Sequence, residues 1–600
     1  MKFTIITPTT GNPKLAKLIQ SINAQNENDD TPRTIEHYVV IDGPKFTTKA
    51  TEILKANPAR NHERFVFQLP FNTAHDINGG GNFLGHRIYA SIGQLVRGDW
   101  VLLADDDNWY EPNHIDSFIQ IINKYQRAQT AQIQWLYCLR KIENDIQGYV
   151  CCDNCESLGH LNPVFYNNAD RLIDTNCYCI RRDLMLACSF IWNLKGTNDA
   201  TNPDRVFSKK LMMEYPYFEC TQQYTLNYYT GNRNTSVKSD LFVKGNEIVL
   251  KRYGSFPWQR PLLYIAHFDR LHTNMVLARV YGGNDHTKPL PSVSFHKWNL
   301  NFFDLLSKKF LLVSAYEQPE YVAARSKLLL NMSSLLELPM KLIERTDIEK
   351  FVYTYEPPNI RHQQQWDLAL LLPKFNTILT YWKPMIDIAG YVPNRIRYLP
   401  YIGRFDMTNP NDVAYITNNS HEHKKICILS ENRKSTGEYI VNGITIRAQD
   451  YLRHDYAIAL GKRIDGYGPT WESIKDTINY CSTKNNECSI DILKNYTFCL
   501  IIENCNADGY VSAKLYDAFT VGCIPLYYGN SNRMIGIPDD CFIDLNEMDI
   551  TPDNLVELID NMSMHTVKAY RKTIEEQRMN ILEKVSINAY TRIIESVLNE

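Results

Sequence analysis

Short apolar runs punctuate the start of the chain and alternate with stretches whose apolar positions repeat at helical spacing. Phe3–Thr7, Tyr38–Ile41, Phe65–Gln68 and Trp100–Ala104 read as strands, and Lys14–Asn23 and Ile88–Val96 as helices. That alternation predicts a parallel sheet covered by helices. Ligands of such sheets bind at the carboxyl ends of the strands. The residues found there are Thr7, Pro8 and Thr9 for the first run, Asp42 and Gly43 for the second, and Asp105–Asn108 for the last.

The pattern loses its clarity between Tyr253 and Pro291, where Gly282-Gly283, Pro289 and Pro291 fall. A domain junction is expected there. Beyond it Phe310–Ala315, Phe351–Tyr355, Leu368–Leu372 and Thr377–Tyr381 read as strands, and Ile426–Ser430 starts a new series. The expected layout is a first domain over 1–255, a linker over 256–300 and a second domain over 301–600. The second domain has lobes at about 301–415 and 420–600, with a cleft between Pro400 and Lys425. Asn554–Glu600 is rich in helix formers and should close the fold as helices. The fold class is α/β throughout.

Length agrees with this division, because single cores stop growing near about 250 to 300 residues and the chain has 600. A net charge of −3 provides no field for gathering nucleic acid. The opening MKFTIITPTTGNPK lacks the sections of a signal peptide, and no apolar run reaches the roughly 18 residues that span a bilayer. The chain therefore reads as cytoplasmic, without a transmembrane segment. Its 15 cysteines show no secreted-type spacing and read as reduced thiols. Cys151, Cys152 and Cys155, with His160 nearby, read as structural thiols in preference to a zinc site.

Asp105-Asp106-Asp107 follows the apolar run WVLLA and precedes NWYEP. Adjacent carboxylates repel one another, and an oxygen-ligated divalent cation, Mn2+ or Mg2+, offsets that repulsion. A solvated acidic turn is the plain alternative. The opening ITPTTGN, VVIDGP, the run GGGNFLGHRIYASIGQLVRGDWVLLADDDNWYEP and the later IDTNCYCIRRDL stand in the order of the family-2 type of inverting glycosyltransferases. Residues 1 to about 235 resemble that family. The resemblance implies a GT-A fold, a Rossmann-like mixed sheet. It implies Thr7, Pro8 and Asp42 on the nucleoside of a UDP-sugar, Asp105 and Asp107 on metal and diphosphate, and an acidic base. Asp204 in NPDRVFSKKL matches that base best, with Asp199 as the fallback; read plainly, Asp204 would N-cap the helix that follows. Asn82, His86, Arg87 and Arg233 are further cleft candidates.

Ile502–Gly529, IENCNADGYVSAKLYDAFTVGCIPLYYG, reads as a polar loop, a helix and a buried strand ending in glycine. An anion at that helix start would meet backbone N–H groups, the helix dipole and the Lys514 ammonium. The segment resembles the alpha-1,3-fucosyltransferase signature, matching at Glu503, Asn504, Tyr510, Val511, Lys514, Gly522, Pro525 and Gly529. Ala513 stands where that family has glutamate. FVYTYEPPN places Glu356 where the family's proposed base lies, and IRAQDYLRHDYAIALGKRIDGYG places Arg447 toward donor phosphate. The resemblance implies a GT-B type fold, GDP-fucose as donor, no metal in this half, and Glu503, Asn504, Tyr510 and Lys514 at the donor. Together the two resemblances imply a bifunctional glycosyltransferase that acts on a glycan or glycoconjugate acceptor. Galactose is the expected first sugar because a galactoside is a frequent fucosyl acceptor; UDP-N-acetylglucosamine and UDP-glucose stay open. The alternative is a single active lobe beside a glycan-binding one.

Overall fold

The computed structural model describes the chain except residues 26–32, 61, 75–82, 84, 128–132, 163–170, 195–202, 232–236, 282–296, 317–321, 337, 339, 355–366, 388–394, 401–404, 434–436, 483–488 and 530–535. It divides into two compact units, Met1–Leu262 with Glu317–Ser326, and Leu263–Tyr316 with Lys327–Glu600. Both are α/β.

The first unit is built on β1 (Lys2–Thr9), β2 (Thr34–Ile41), β3 (Glu63–Gln68), β4 (Trp100–Leu103), β5 (Trp109–Tyr110), β6 (Trp135–Asn144), β7 (Gly148–Cys152), β8 (Tyr178–Arg181) and β9 (Phe218–Tyr229). These form one sheet in the order β3-β2-β1-β4-β8-β6-β9-β5, with β7 beside β6. β3, β2, β1 and β4 run parallel, and β8 enters antiparallel to both β4 and β6. The sheet is therefore mixed. Ile35–Ile41 is buried without a break, as expected of a strand covered on both faces. The helix Leu15–Ala24 supplies part of that cover by burying Leu15, Leu18, Ile19 and Ile22 along one stripe.

The second unit holds two further sheets. One combines β10 (Leu262–Ala266), β11 (Leu311–Ser314), β12 (Lys327–Asn331), β13 (Glu349–Tyr353), β14 (Thr377–Thr380) and β15 (Ile396–Tyr398) in the order β11-β10-β12-β13-β14-β15. Its β10 lies in the stretch 256–300 that read as a linker. The linker expectation fails because Leu263–Ala266 pairs in parallel register with Lys327–Leu330, and the helix Arg270–Tyr281 follows. Four buried residues cannot display a periodicity of their own. Leu368–Leu371 is a helix where a strand was expected, with the Asp367 carboxylate capping it through Ala369 N–H.

The other sheet contains β16 (Ile426–Ile428), β19 (Ile464–Tyr467), β20 (Asn479–Cys481), β21 (Phe498–Ile502), β22 (Ile524–Tyr528) and β23 (Ile543–Asp544), ordered β20-β19-β16-β21-β22-β23. Each neighbouring pair of strands in it runs parallel. Between β16 and β19 the chain forms the antiparallel hairpin β17 (Glu438–Val441) and β18 (Ile444–Arg447). Helices Pro552–Asn561, Met564–Val585 and Ile587–Asn599 end the chain as expected. The last of them returns to the earlier lobe: Tyr590 meets Phe302 at 5.2 Å, and Arg397 pairs with Glu600 at 2.7 Å. The lobe boundary read from sequence, 420–600 apart from 301–415, is thus crossed by the final helix. Among the described residues no helix is long and apolar enough to cross a membrane.

Candidate active sites

In the first unit the chain leaves β1 toward β2 and β3 on one side and reaches β4 on the other. The carboxyl ends of β1 and β4 therefore frame the reversal of strand order, where a crevice opens. The acidic triplet falls there, and its members diverge. Asp106 turns to the β1 loop, accepting Thr9 Oγ1 at 2.5 Å and the N–H groups of Thr10 and Asn12 at 3.3 and 3.4 Å. Asp105 accepts the Tyr89 hydroxyl at 2.8 Å and Asn176 Nδ2 at 2.9 Å, while its own N–H donates to Asn176 Oδ1 at 2.5 Å. Tyr229, the end of β9, has its phenol pKa raised by burial, by its hydrogen bond to Asp145 and, least of these, by the charge of nearby Asp107.

Asn176 joins this carboxylate to a deeper network. Its amide also donates to Asp174 at 2.9 Å, and Asp174 accepts from Arg140 at 2.5 Å. The guanidinium of Arg140 is buried and further pairs with Asp153 at 2.8 Å and Glu156 at 2.7 Å. Burial, with Asp174 nearby, pushes the Asp105 pKa up. Asp204 is raised as well, first by burial. It occupies the first turn of the helix Pro203–Glu214, its Oδ1 accepting Arg205 N–H at 2.8 Å, so it lies inside the helix and is not the residue before it. His86 feels both Asp105 and Asp204, yet burial outweighs them and lowers its pKa. The crevice thus brings Asp105, Asp204 and His86 together.

The nucleoside candidates are placed less uniformly. Asp42 follows β2 and accepts Thr73 N–H at 2.7 Å. Pro8 packs where Gly85 opens the helix His86–Ile92 with a φ of 86°. Thr7 points inward, its fully buried hydroxyl 3.0 Å from His37 Nε2, so its side chain is part of the core and does not face a ligand. Asp199, Asn82 and Arg233 lie outside the described residues. His160 pairs with the Tyr137 hydroxyl at 2.8 Å and Cys155 turns toward Asp153, so those two side chains serve different partners. Tyr89, Asp174 and Asn176 were missed; IYASI has no charged residue, and IDTN has one aspartate and no acidic run like the triplet to mark it.

In the second unit the chain runs from β16 to β19 and β20 on one side and then to β21, β22 and β23 on the other. Ser430 and Glu503, beyond the carboxyl ends of β16 and β21, flank that reversal. Glu503 is buried, and its Oε1 accepts Ser512 N–H at 2.8 Å just before the helix Ala513–Thr520. Burial raises its pKa against the opposing pull of Lys514 and Arg453. Lys514, in the first turn of that helix, therefore stands close to Glu503. Asn504 accepts Arg453 at 2.7 Å and donates to the Tyr510 hydroxyl at 3.4 Å. Tyr510 lies 5.6 Å from Tyr381, the residue after β14, and Asp508 accepts Lys383 N–H at 3.1 Å. The loop thereby reaches the other sheet of the unit.

The motif's small residues have physical causes. Gly522 takes a φ of 67°, which favours glycine. At Gly529 a Cβ would sit 2.5 Å from the Tyr527 hydroxyl and 2.8 Å from Glu503 Cγ. Pro525 faces a neighbouring strand on one side only, because β23 starts its pairing at Leu526.

Arg447 departs from expectation. It closes β18, and its backbone N–H donates to Asn506, while its side chain pairs with Glu438 at 2.7 Å and is 66% exposed. Arg453 takes the interior position instead, within the helix Leu452–Leu460, holding Ile502 O at 2.7 Å and Asn504 at once. The sequence signal was an arginine inside RAQDYLRHDY, six residues after Arg447. Asp517, in the helix Ala513–Thr520, is buried and accepts Ser489 Oγ at 3.1 Å. Glu356 lies outside the described residues.

Residues 434–586 match the family model described as Glycosyltransferase family 10 (fucosyltransferase) C-term. The C-terminal region belongs to glycosyltransferase family 10. Its matched residues include Glu503, Asn504, Tyr510, Lys514 and Arg453. The chain is 30% identical over 113 residues to the Alpha-(1,3)-fucosyltransferase FucT of Helicobacter pylori, a stretch covering 18% of this chain and 22% of that relative. Among solved structures, an alpha1,3-fucosyltransferase with GDP is similar over 59% of this chain and 97% of its own, at 14% identity and a TM-score of 0.35. S. aureus TarS 1-349 in complex with UDP-GlcNAc is similar over 42% of this chain and 67% of its own, at 16% identity and a TM-score of 0.29. Neither score reaches 0.5, and neither likeness carries an argument about this chain.

Proposed function

We propose that the chain is a bifunctional glycosyltransferase: a GT-A type inverting hexosyltransferase in the first unit and a GT-B type fucosyltransferase in the second. The fucosyl reading is carried by the family 10 match, which falls on the crevice at the β16–β21 reversal. There Lys514 stands in the first turn of the helix Ala513–Thr520 and Arg453 in the helix Leu452–Leu460, both acting on the charge of Glu503, and both oppose the leaving charge of GDP from GDP-fucose as the bond to fucose breaks. Arg453, through its contact with Asn504, replaces Arg447 in this role. Glu503 is the neighbouring carboxylate in a helix start where Ala513 brings none. Glu356 remains the proposed base for the acceptor hydroxyl.

In the first unit Asp204 accepts the proton of the attacking acceptor hydroxyl as its oxygen bonds to the anomeric carbon and the UDP leaves. A carboxyl whose pKa is raised by burial suits a base, since it holds the proton better than an exposed one. Asp105 and Asp107 fit a divalent cation, Mn2+ or Mg2+, in one respect that the structure supports: burial and Asp174 raise the Asp105 pKa, a strain that a cation relieves. Among the described residues no group of three or more His, Cys, Asp or Glu could hold a metal, so Asp105 and Asp107 would be the residues holding the ion, which would supply charge neutralisation at the diphosphate. Galactose from UDP-galactose is the proposed first sugar, a glycan or glycoconjugate the acceptor, and the cytoplasm the compartment.

The test is a donor screen with GDP-fucose and UDP-sugars on galactoside acceptors, with and without chelator. Asp107→Ala and chelator should remove hexosyl transfer and spare fucosyl transfer, and Lys514→Ala the reverse. Full fucosyl transfer by Lys514→Ala would refute the role of that helix. Ala513 favours a second reading, in which one lobe only binds glycan. Absence of transfer from every GDP-sugar, with hexosyl transfer intact, would favour it.

A further inference from the structure

The sheet of β16 to β23 has two ends, and only its carboxyl end carries the crevice described above. At the opposite end a cavity of about 430 Å3 opens among Lys424, Lys425, Lys462, Arg463, Asp465, Asn479 and Asp560. Ile426, Ile464 and Asn479 are the first residues of β16, β19 and β20, so this cavity lies a full strand length from Glu503 and Asn504. It plays no part in the proposed transfer.

Its charge is four basic side chains against two acidic ones. Three of the four cations are held in place. Lys424 Nζ donates to the carbonyls of Ile559 and Asp560 at 2.6 and 2.9 Å, at the end of the helix Pro552–Asn561. Lys462 Nζ donates to Lys475 O at 2.9 Å and Ile478 O at 2.8 Å. Arg463 is paired with Asp560. Closing helix and turn ends accounts for two lysines and one arginine singly, but not for their convergence with the exposed Lys425 on one cavity. An ammonium bonded to two carbonyls keeps a third donor. Asp465, which accepts the Tyr496 hydroxyl at 2.6 Å, and Asn479, which donates to it at 3.0 Å, add an acceptor and an amide to the wall.

We infer that this cavity is a second ligand site, for a phosphate-bearing sugar. The lysines act as point charges for the phosphate. Asp465 and Asn479 meet hydroxyl groups, and the volume exceeds what a bare phosphate fills.

The full chain is titrated calorimetrically with glucose 1-phosphate, inorganic phosphate and glucose, each in saturating GDP so that the donor crevice is filled. Glucose 1-phosphate should bind tightest, inorganic phosphate more weakly and glucose not at all. Lys425→Gln and Lys462→Gln should each weaken glucose 1-phosphate roughly three- to fivefold, and Asp465→Asn should weaken it while sparing inorganic phosphate. Equal binding of the two phosphates would reduce the site to a bare anion pocket and overturn the sugar assignment. Loss of all binding in GDP, or binding unchanged in both lysine variants, would overturn the site itself. Lys425→Gln touches no buried partner, so a folding defect in the Lys462 variant leaves the test intact.

Discussion

Arg140→Met should reveal how much of the first crevice rests on one buried cation. The Arg140 guanidinium and the Asp153 carboxylate have side chains exposed by 2% and 0%, and Glu156 and Asp174 by 25% and 13%. Methionine fills much of the same volume and leaves three carboxylates without their cation. Removing one partner of a buried pair costs about 3 to 5 kcal/mol, because the remaining charge stays out of water. The pH dependence has a definite sign. Arg140 helps hold Asp153 below the ordinary carboxylate range despite burial, so Asp153 stabilises the fold above its unfolded pKa and loses that effect as pH falls through its folded one. In Arg140→Met burial is opposed by the backbone N–H groups of Ser157 and Cys155 without the guanidinium, and the Asp153 pKa rises, so the defect is largest at neutral pH and shrinks toward pH 4. Hydrogen exchange of the β6 amides reads this locally: a loss of that size speeds exchange by about two to three and a half orders of magnitude at pH 7. Acceleration below about fivefold, or equal acceleration at pH 7 and pH 5, would refute the reasoning.

Arg447→Ala should leave fucosyl transfer within about twofold and stability within about 0.5 kcal/mol, whereas Arg453→Ala should lower both, since it frees Ile502 O and Asn504 in the interior; parallel donor kinetics and urea melts decide. Gly529→Ala should destabilise the second unit by about 1 to 3 kcal/mol through the contacts with Tyr527 and Glu503, measured by urea unfolding. Asp204→Asn should abolish hexosyl transfer yet raise stability at pH 7, because a carboxyl whose folded pKa is raised opposes folding once ionised. For the same reason the acid limb of hexosyl transfer should lie above pH 3.8, and an ordinary limb at or below that value would contradict the burial of Asp204.

Where many of the crevice residues sit was legible because strand ends are marked in sequence. WVLLA followed by three aspartates announces both a buried strand and its polar end, and Asp105 and Asp107 are found there. Lys514 was legible for a similar reason, since a helix start between a polar loop and a buried strand has one place to go. Thr7 was not, because the alternation that makes it a strand residue does not say which face it takes, and the His37 side of the sheet claimed it. Arg447 and Arg453 are indistinguishable as helix cations in the sequence. Only the hairpin β17–β18, which ends the strand at Arg447, separates them.

By itself the sequence determined the α/β class, the strands at 3–7, 38–41 and 100–104, the acidic triplet and the family 10 motif, because each rests on neighbours within a few residues. The tertiary structure decided which strands adjoin and so where the order reverses. It placed β10 in the second unit's sheet and returned the last helix to Phe302, far back in the chain. It also tied Asp105 through Asn176 and Asp174 to Arg140. These are contacts between residues distant in sequence, and burial, not local pattern, selects among them.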